Sequence, residues 1–145
     1  MQAFYELAGL FASAFLSATI LPGSSEAVLI GVMALGTVAT WQAVAIATVG
    51  NVMGSLLNWA IGFFFGSYRD HPRFPLSKEK FDKYADWFRR WGVWSLFLSW
   101  VPLIGDALTI VSGVMRCNVF LVALIVFLAK GARYIVVAAA AGAVL

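Results

Sequence analysis

Apolar residues fill two long blocks of the chain, 1–66 and 91–145, with one polar stretch between them. A helix that crosses the hydrocarbon of a bilayer needs about 20 apolar residues. Residues 41–65 and 119–145 reach that length without interruption. The other two apolar regions do not. Residues 4–36 break at Leu21-Pro22-Gly23-Ser24-Ser25-Glu26, and residues 91–115 break at Val101-Pro102-Leu103-Ile104-Gly105-Asp106. Proline removes a backbone donor and clashes with the preceding turn. The pieces 27–36, 91–101 and 107–115 are too short to span alone. They read as half-helices of two re-entrant hairpins, with two ordinary proline-kinked helices as the alternative. Backbone that is neither helix nor barrel survives at membrane depth only where protein or a wet cavity surrounds it.

The polar stretch carries a different period. Over 77–93, Phe81, Tyr84, Ala85, Phe88 and Trp91 recur at i, i+3 and i+4, and the basic residues lie largely elsewhere. This predicts an amphipathic helix in the membrane interface, its basic side toward lipid phosphates. Trp87, Trp91 and Trp94 suit the headgroup level.

The two broken regions resemble each other. Phe15-Leu16-Ser17 matches Phe97-Leu98-Ser99. Pro22 matches Pro102, Glu26-Ala27 matches Asp106-Ala107 and Ile30 matches Ile110, these three at an offset of 80. Gly31-Val32-Met33 matches Gly113-Val114-Met115 at 82, and a long apolar segment follows each copy. One spanning helix between two hairpins makes them enter from opposite faces, an inverted-topology repeat whose site lies near the midplane. The expected fold is therefore an all-α integral membrane protein of one domain, 1–145. A hairpin and helix occupy 1–66, a polar loop with the amphipathic helix 67–90, and a second hairpin and helix 91–145.

Composition narrows the function. Of the 145 residues, 62% are hydrophobic and 12% charged, and the mean hydropathy is +0.89. A soluble domain is about half apolar and a quarter charged, so a secreted domain, a cytosolic enzyme and a nucleic-acid binder are excluded. One cysteine, Cys117, and one histidine, His71, leave nothing from which to build a disulfide, a zinc cluster or a Ser-His-Asp triad. No enzyme activity and no cofactor are expected. Residues 69–90 hold seven basic and four acidic side chains, and the rest of the chain is neutral overall. Positive-inside asymmetry places that loop, with Arg116, in the cytoplasm and both termini outside. The N-terminal segment lacks a positive n-region, since Glu6 is its only charge, and reads as retained.

Four ionisable residues remain in apolar surroundings: Glu26, Asp106, Lys130 and Arg133. Each costs roughly 2.5–3.5 kcal/mol at the bilayer centre even on lenient scales. Glu26 and Asp106 lie just past the two breaks, and Lys130 and Arg133 share one face of the last helix. Hairpin tips at the midplane bring all four together. The set reads either as structural ion pairs or as a site for a proton or an anionic headgroup, with one carboxylate carrying a coupling proton. Ser24 and Ser25 are candidate caps of the helix that starts near Glu26. Free N–H groups there attract anions, and a phosphate near Arg133 fits them. Gly50, Gly54, Asn58, Gly62 and Gly66 form a small-residue ridge. It fits packing within the chain and equally permits a homo-oligomer. Asn51, near the middle of the same helix, faces either that packing or the polar centre.

The run Phe15-Leu16-Ser17-Ala18-Thr19-Ile20-Leu21-Pro22-Gly23-Ser24-Ser25-Glu26 is one of four that carry a resemblance. The others are Gly50-Asn51-Val52-Met53-Gly54, Leu98-Ser99-Trp100-Val101-Pro102-Leu103-Ile104-Gly105-Asp106 and Lys130-Gly131-Ala132-Arg133-Tyr134. Together they closely resemble the small members of the DedA family, which carries the VTT, or SNARE-associated, domain. The resemblance covers nearly the whole chain. It implies two re-entrant hairpins in an inverted repeat, and residence in a bacterial cytoplasmic membrane. It further implies translocation of phospholipid or undecaprenyl phosphate, often tied to the proton-motive force. Glu26 matches the family's hairpin acid and Pro102 the second hairpin's proline. Typical members carry arginines on both sides of that proline, whereas here no basic residue lies between Arg90 and Arg116. Lys130 and Arg133 are the candidates to substitute for them. Membrane lipids and protons are thus the expected partners. The rival readings are an ion- or proton-coupled exporter of small molecules and a non-transporting scaffold.

Overall fold

The computed structural model describes residues 1–19, 24–68, 70–72, 74–101 and 104–144. The helices are α1 (Gln2–Thr19), α2 (Ser24–Leu35), α3 (Thr40–Phe65), α4 (Lys78–Trp91), α5 (Ile104–Val114) and α6 (Val119–Val144). Short 3-10 segments cover Gly66–Tyr68 and Gly92–Trp100. No strand occurs among the described residues. The helices α3 and α6, 26 residues each, are long and apolar enough to cross a membrane. Helix α1 ends at Thr19 and α2 starts at Ser24, on either side of the first expected break, and α5 starts at Ile104, after the second. Pro22, Gly23 and Pro102 themselves lie outside the described residues.

Small residues decide how close the helices come. A Cβ on Gly50 would press on Phe11 and Ala14 of α1, and one on Gly54 on Phe15 and Ala18. A Cβ on Gly62 would collide with the Ile110 carbonyl of α5, and one on Gly113 of α5 with the Trp59 carbonyl of α3. The glycine ridge is thus spent on packing within the chain: α3 holds α1 along its first half and α5 along its second. Residue numbers rise together along both contacts, so α1 and α5 each run parallel to α3. Since Gly36–Ala39 returns the chain from α2 to the start of α3, α1 begins and α2 ends on the same side. The 3-10 segment Gly92–Trp100 likewise leaves from α4, and α5 ends beside Gly66.

The amphipathic helix forms nearly as predicted. Ser77 caps it, its hydroxyl accepting from Lys80 N–H. Phe81, Tyr84, Ala85 and Phe88 are buried. Gly92, at φ +63°, ends it in a conformation that L side chains rarely adopt. The next segment is a 3-10 helix rather than the α-helical half expected over 91–101. A 3-10 helix rises about 2.0 Å per residue against 1.5 Å for an α-helix. Its nine residues therefore cover more length than an α-helix of the same count.

Two apolar clusters form the core. One joins α1, α2, the first half of α3 and Tyr134. The other joins α4, α5, Leu96 and the first part of α6. Outward positions such as Leu57, Phe64, Leu124, Phe127 and Ile135 are exposed apolar side chains. A folded chain in water would not leave so large an apolar surface bare.

Candidate functional site

The polar centre lies between the two apolar clusters, at the middle of α3 and α6. Helix α6 supplies Lys130, Arg133 and Tyr134, all on one face by their i, i+3 and i+4 spacing. Glu26 stands in the first turn of α2 and Asp106 in the first turn of α5. Unpaired N–H groups and the dipole of a helix start favour negative charge there. Each acid is thus stabilised by its own helix before it finds a partner.

Each then finds a different base. Arg133 Nη2 lies 3.0 Å from Glu26 Oε1, and Lys130 Nζ lies 3.5 Å from Asp106 Oδ1. Arg133 Nη1 also donates to the Trp100 carbonyl at 3.3 Å, at the end of the 3-10 segment. Both interrupted regions therefore converge on one turn of α6. All four charges expected from the sequence meet, and they sum to zero.

Asn51 faces this centre. Its Oδ1 accepts from Lys130 Nζ, while Nδ2 donates to the Ala14 carbonyl at 2.7 Å and to Ser17 Oγ at 2.9 Å. Asn58, placed in the packing ridge by the sequence, donates to the Ala18 carbonyl at 2.8 Å. Asn58 thus satisfies a carbonyl in the last turn of α1, which has no intrahelical donor, while Asn51 adds a second donor to the Ala14 carbonyl one turn earlier.

Ser25 has another role than the cap expected of it. Its hydroxyl is buried, 2.7 Å from the Tyr134 hydroxyl, 3.1 Å from Ser17 Oγ and 3.5 Å from Glu26 Oε2. It ties α1 and α2 to α6. Gly105, expected at the second break, lies inside the first turn of α5, pressed on the Ser99 backbone where a Cβ would not fit. Its work is close approach. Ser24 opens α2.

Ser17, Tyr134 and Asn58 are centre residues that chain periodicity does not single out as polar contacts. The repeated Phe-Leu-Ser element was the available signal for Ser17, since its counterpart Ser99 is also buried. Ser99 Oγ and Arg133 Nε have no hydrogen-bond partner among the described residues. No group of three or more metal-ligating side chains occurs among the described residues.

An all-helical protein with two apolar helices of spanning length and a neutralised charge cluster at their middle is a membrane protein whose centre is polar. Residues 21–145 match the VTT domain family. The chain is 42% identical over 136 residues to the inner membrane protein YqaA of Escherichia coli, covering 92% of this chain and 89% of that one. The inner membrane protein YqaA of Shigella flexneri matches to the same extent. An uncharacterized protein of Haemophilus influenzae is 36% identical over 133 residues, covering 87% of this chain and 81% of that one. The chain belongs to the DedA family of VTT-domain membrane proteins. No solved structure matches it.

Proposed function

We propose that this protein moves lipid across the cytoplasmic membrane as a flippase or scramblase of phospholipid or undecaprenyl phosphate, coupled to protons through the polar centre. The observation that carries this reading is the meeting of Glu26–Arg133 and Asp106–Lys130 at the midpoint of both long helices. Charges there cost several kcal/mol and mark substrate or proton pathways by default. Burial lifts a carboxylate's affinity for protons and a nearby base lowers it, the balance a coupling site needs.

In this reading α1–α2 and the segment 92–114 are re-entrant hairpins entering from opposite faces. The parallel runs of α1 and α5 beside α3 support that, as does the convergence of both breaks on Arg133. The helices α3 and α6 are then equivalent parts of an inverted repeat. The basic loop, with α4 at the interface, faces the cytoplasm. Lys130 and Arg133 supply the cations that relatives place beside the second proline, and a phosphate headgroup is their natural ligand.

The test is reconstitution in proteoliposomes with a fluorescent phospholipid and, separately, a polyprenyl phosphate, each with and without a pH gradient. Movement of one lipid above empty vesicles is expected, faster with the gradient. Folded protein that moves neither lipid overturns the reading in favour of a solute exporter or a scaffold.

A further inference from the structure

We infer that the cavity between α1, α3, α4 and α5 is an aqueous route by which the α4 side of the membrane reaches Asp106. The cavity has a volume of about 660 Å³, far above the ~30 Å³ one water occupies in the liquid. Its polar lining is Ser17, Asn58, Ser77, Lys80, Tyr84 and Asp106. These residues come from four elements. Ser77 and Lys80 are exposed at the start of α4, Tyr84 is one turn further along, and Ser17 and Asn58 stand near the end of α1. Asp106, in the first turn of α5, brings the polar centre to the same cavity.

The burial of the ion pair decides the direction. The Lys130 side chain is 2% exposed and the Asp106 side chain 22%. The base is sealed in the protein while the acid retains an open side, and the cavity is what it opens into. The wall is mixed, with Leu57, Ile61 and Ile110 among its apolar residues, and it is the charged side chains of Lys80 and Asp106 on the same cavity that favour water in it. The charged and titratable groups facing this centre are Asp106, Lys130, Arg133, Glu26 and Tyr134, with Lys80 and Tyr84 along the route. Asp106 would thus exchange protons with the cytoplasmic side in the orientation proposed above. That use rests on the proposed transport function, but the route does not.

Impermeant thiol labelling tests it without any transport. In a Cys117→Ser background, Ala107→Cys and Ile110→Cys put a thiol on the cavity wall. Lys80→Cys marks the α4 side, and Ile135→Cys marks the lipid-facing surface. Sealed vesicles of both orientations receive a trimethylammonium methanethiosulfonate reagent, and thermal stability confirms folding. The cavity thiols are expected to label from the same side as Lys80→Cys, at rates within about tenfold of it once ionised. They are expected to label far more slowly from the other side, and Ser77→Trp at the mouth should slow their labelling from the Lys80 side. Labelling from the opposite side, or equally from both, overturns the route. So does reaction with a lipid-soluble maleimide alone, which identifies the cavity as lined by acyl chains.

Discussion

Lys130 donates a hydrogen bond to Asn51, and each residue stands eleven positions after the first residue of its own 26-residue helix. The two long helices thus touch through corresponding positions near their midpoints. One helix carries an amide there and the other a cation. Asn51 passes the contact on to α1 through Ala14 and Ser17, and Lys130 passes it on to α5 through Asp106. The centre joins four helices through two side chains.

Removing Lys130 leaves the Asp106 carboxylate without its ion partner. Breaking a fully buried pair costs about 3–5 kcal/mol, and the open side of Asp106, 22% exposed, lets water recover part of that. Lys130→Met is expected to lose about 1–3 kcal/mol in denaturant unfolding in micelles. Lys130→Met with Asp106→Asn should recover at least about 1 kcal/mol of the loss, as coupled neighbours do. Simple additivity of the two single effects would contradict the pairing.

Asn51→Ala removes the donor to the Ala14 carbonyl and the Ser17 hydroxyl, and the acceptor for Lys130. Leaving buried groups unmet costs about 1–3 kcal/mol. A lower melting temperature, with protection from hydrogen exchange lost first at Ser13–Ala18, is the expected result. An unchanged melting temperature would place Asn51 outside the network.

The glycines are not equivalent. Gly62→Ala and Gly113→Ala force a methyl onto a carbonyl of the facing helix, where backbone cannot step aside. Each should cost at least about 1–3 kcal/mol as overpacking. Gly131→Ala meets only the Thr48 methyl at an ordinary 3.5 Å. It should fold at wild-type yield, and equal loss in all three variants would contradict the packing.

The long helices were legible because length and apolarity alone define a span, and α4 because its period survives between charges. The acids were legible for the same reason as the breaks: each sits one turn past a proline. The choice of partner was not. Lys130 and Arg133 share a face, and only tertiary packing sends Arg133 to Glu26 and Lys130 to Asp106. Ser25 looked like a cap because serine before a helix usually is one. Its bond to Tyr134 crosses 109 positions and no local rule reaches it. The 3-10 form of Gly92–Trp100 was hidden too, since apolar content carries no information about rise per residue.

Cys117, in the turn between α5 and α6, is partly buried, and burial pushes its thiol pKa up. A raised pKa means less thiolate at any given pH and slower alkylation. Maleimide labelling of the folded protein should therefore be slow at neutral pH and climb through the alkaline range. Labelling at the rate of a free cysteine at neutral pH would contradict this.

The central claim is that the paired charges serve transport rather than merely fastening helices. Lipid translocation by Glu26→Gln, measured beside its melting temperature in the same proteoliposome preparation, tests it most directly. The expected result is a folded variant whose translocation falls at least about tenfold, roughly 1.4 kcal/mol on the barrier, and loses its response to a pH gradient. A variant that melts earlier yet moves lipid at the wild-type rate with the same gradient response would contradict it.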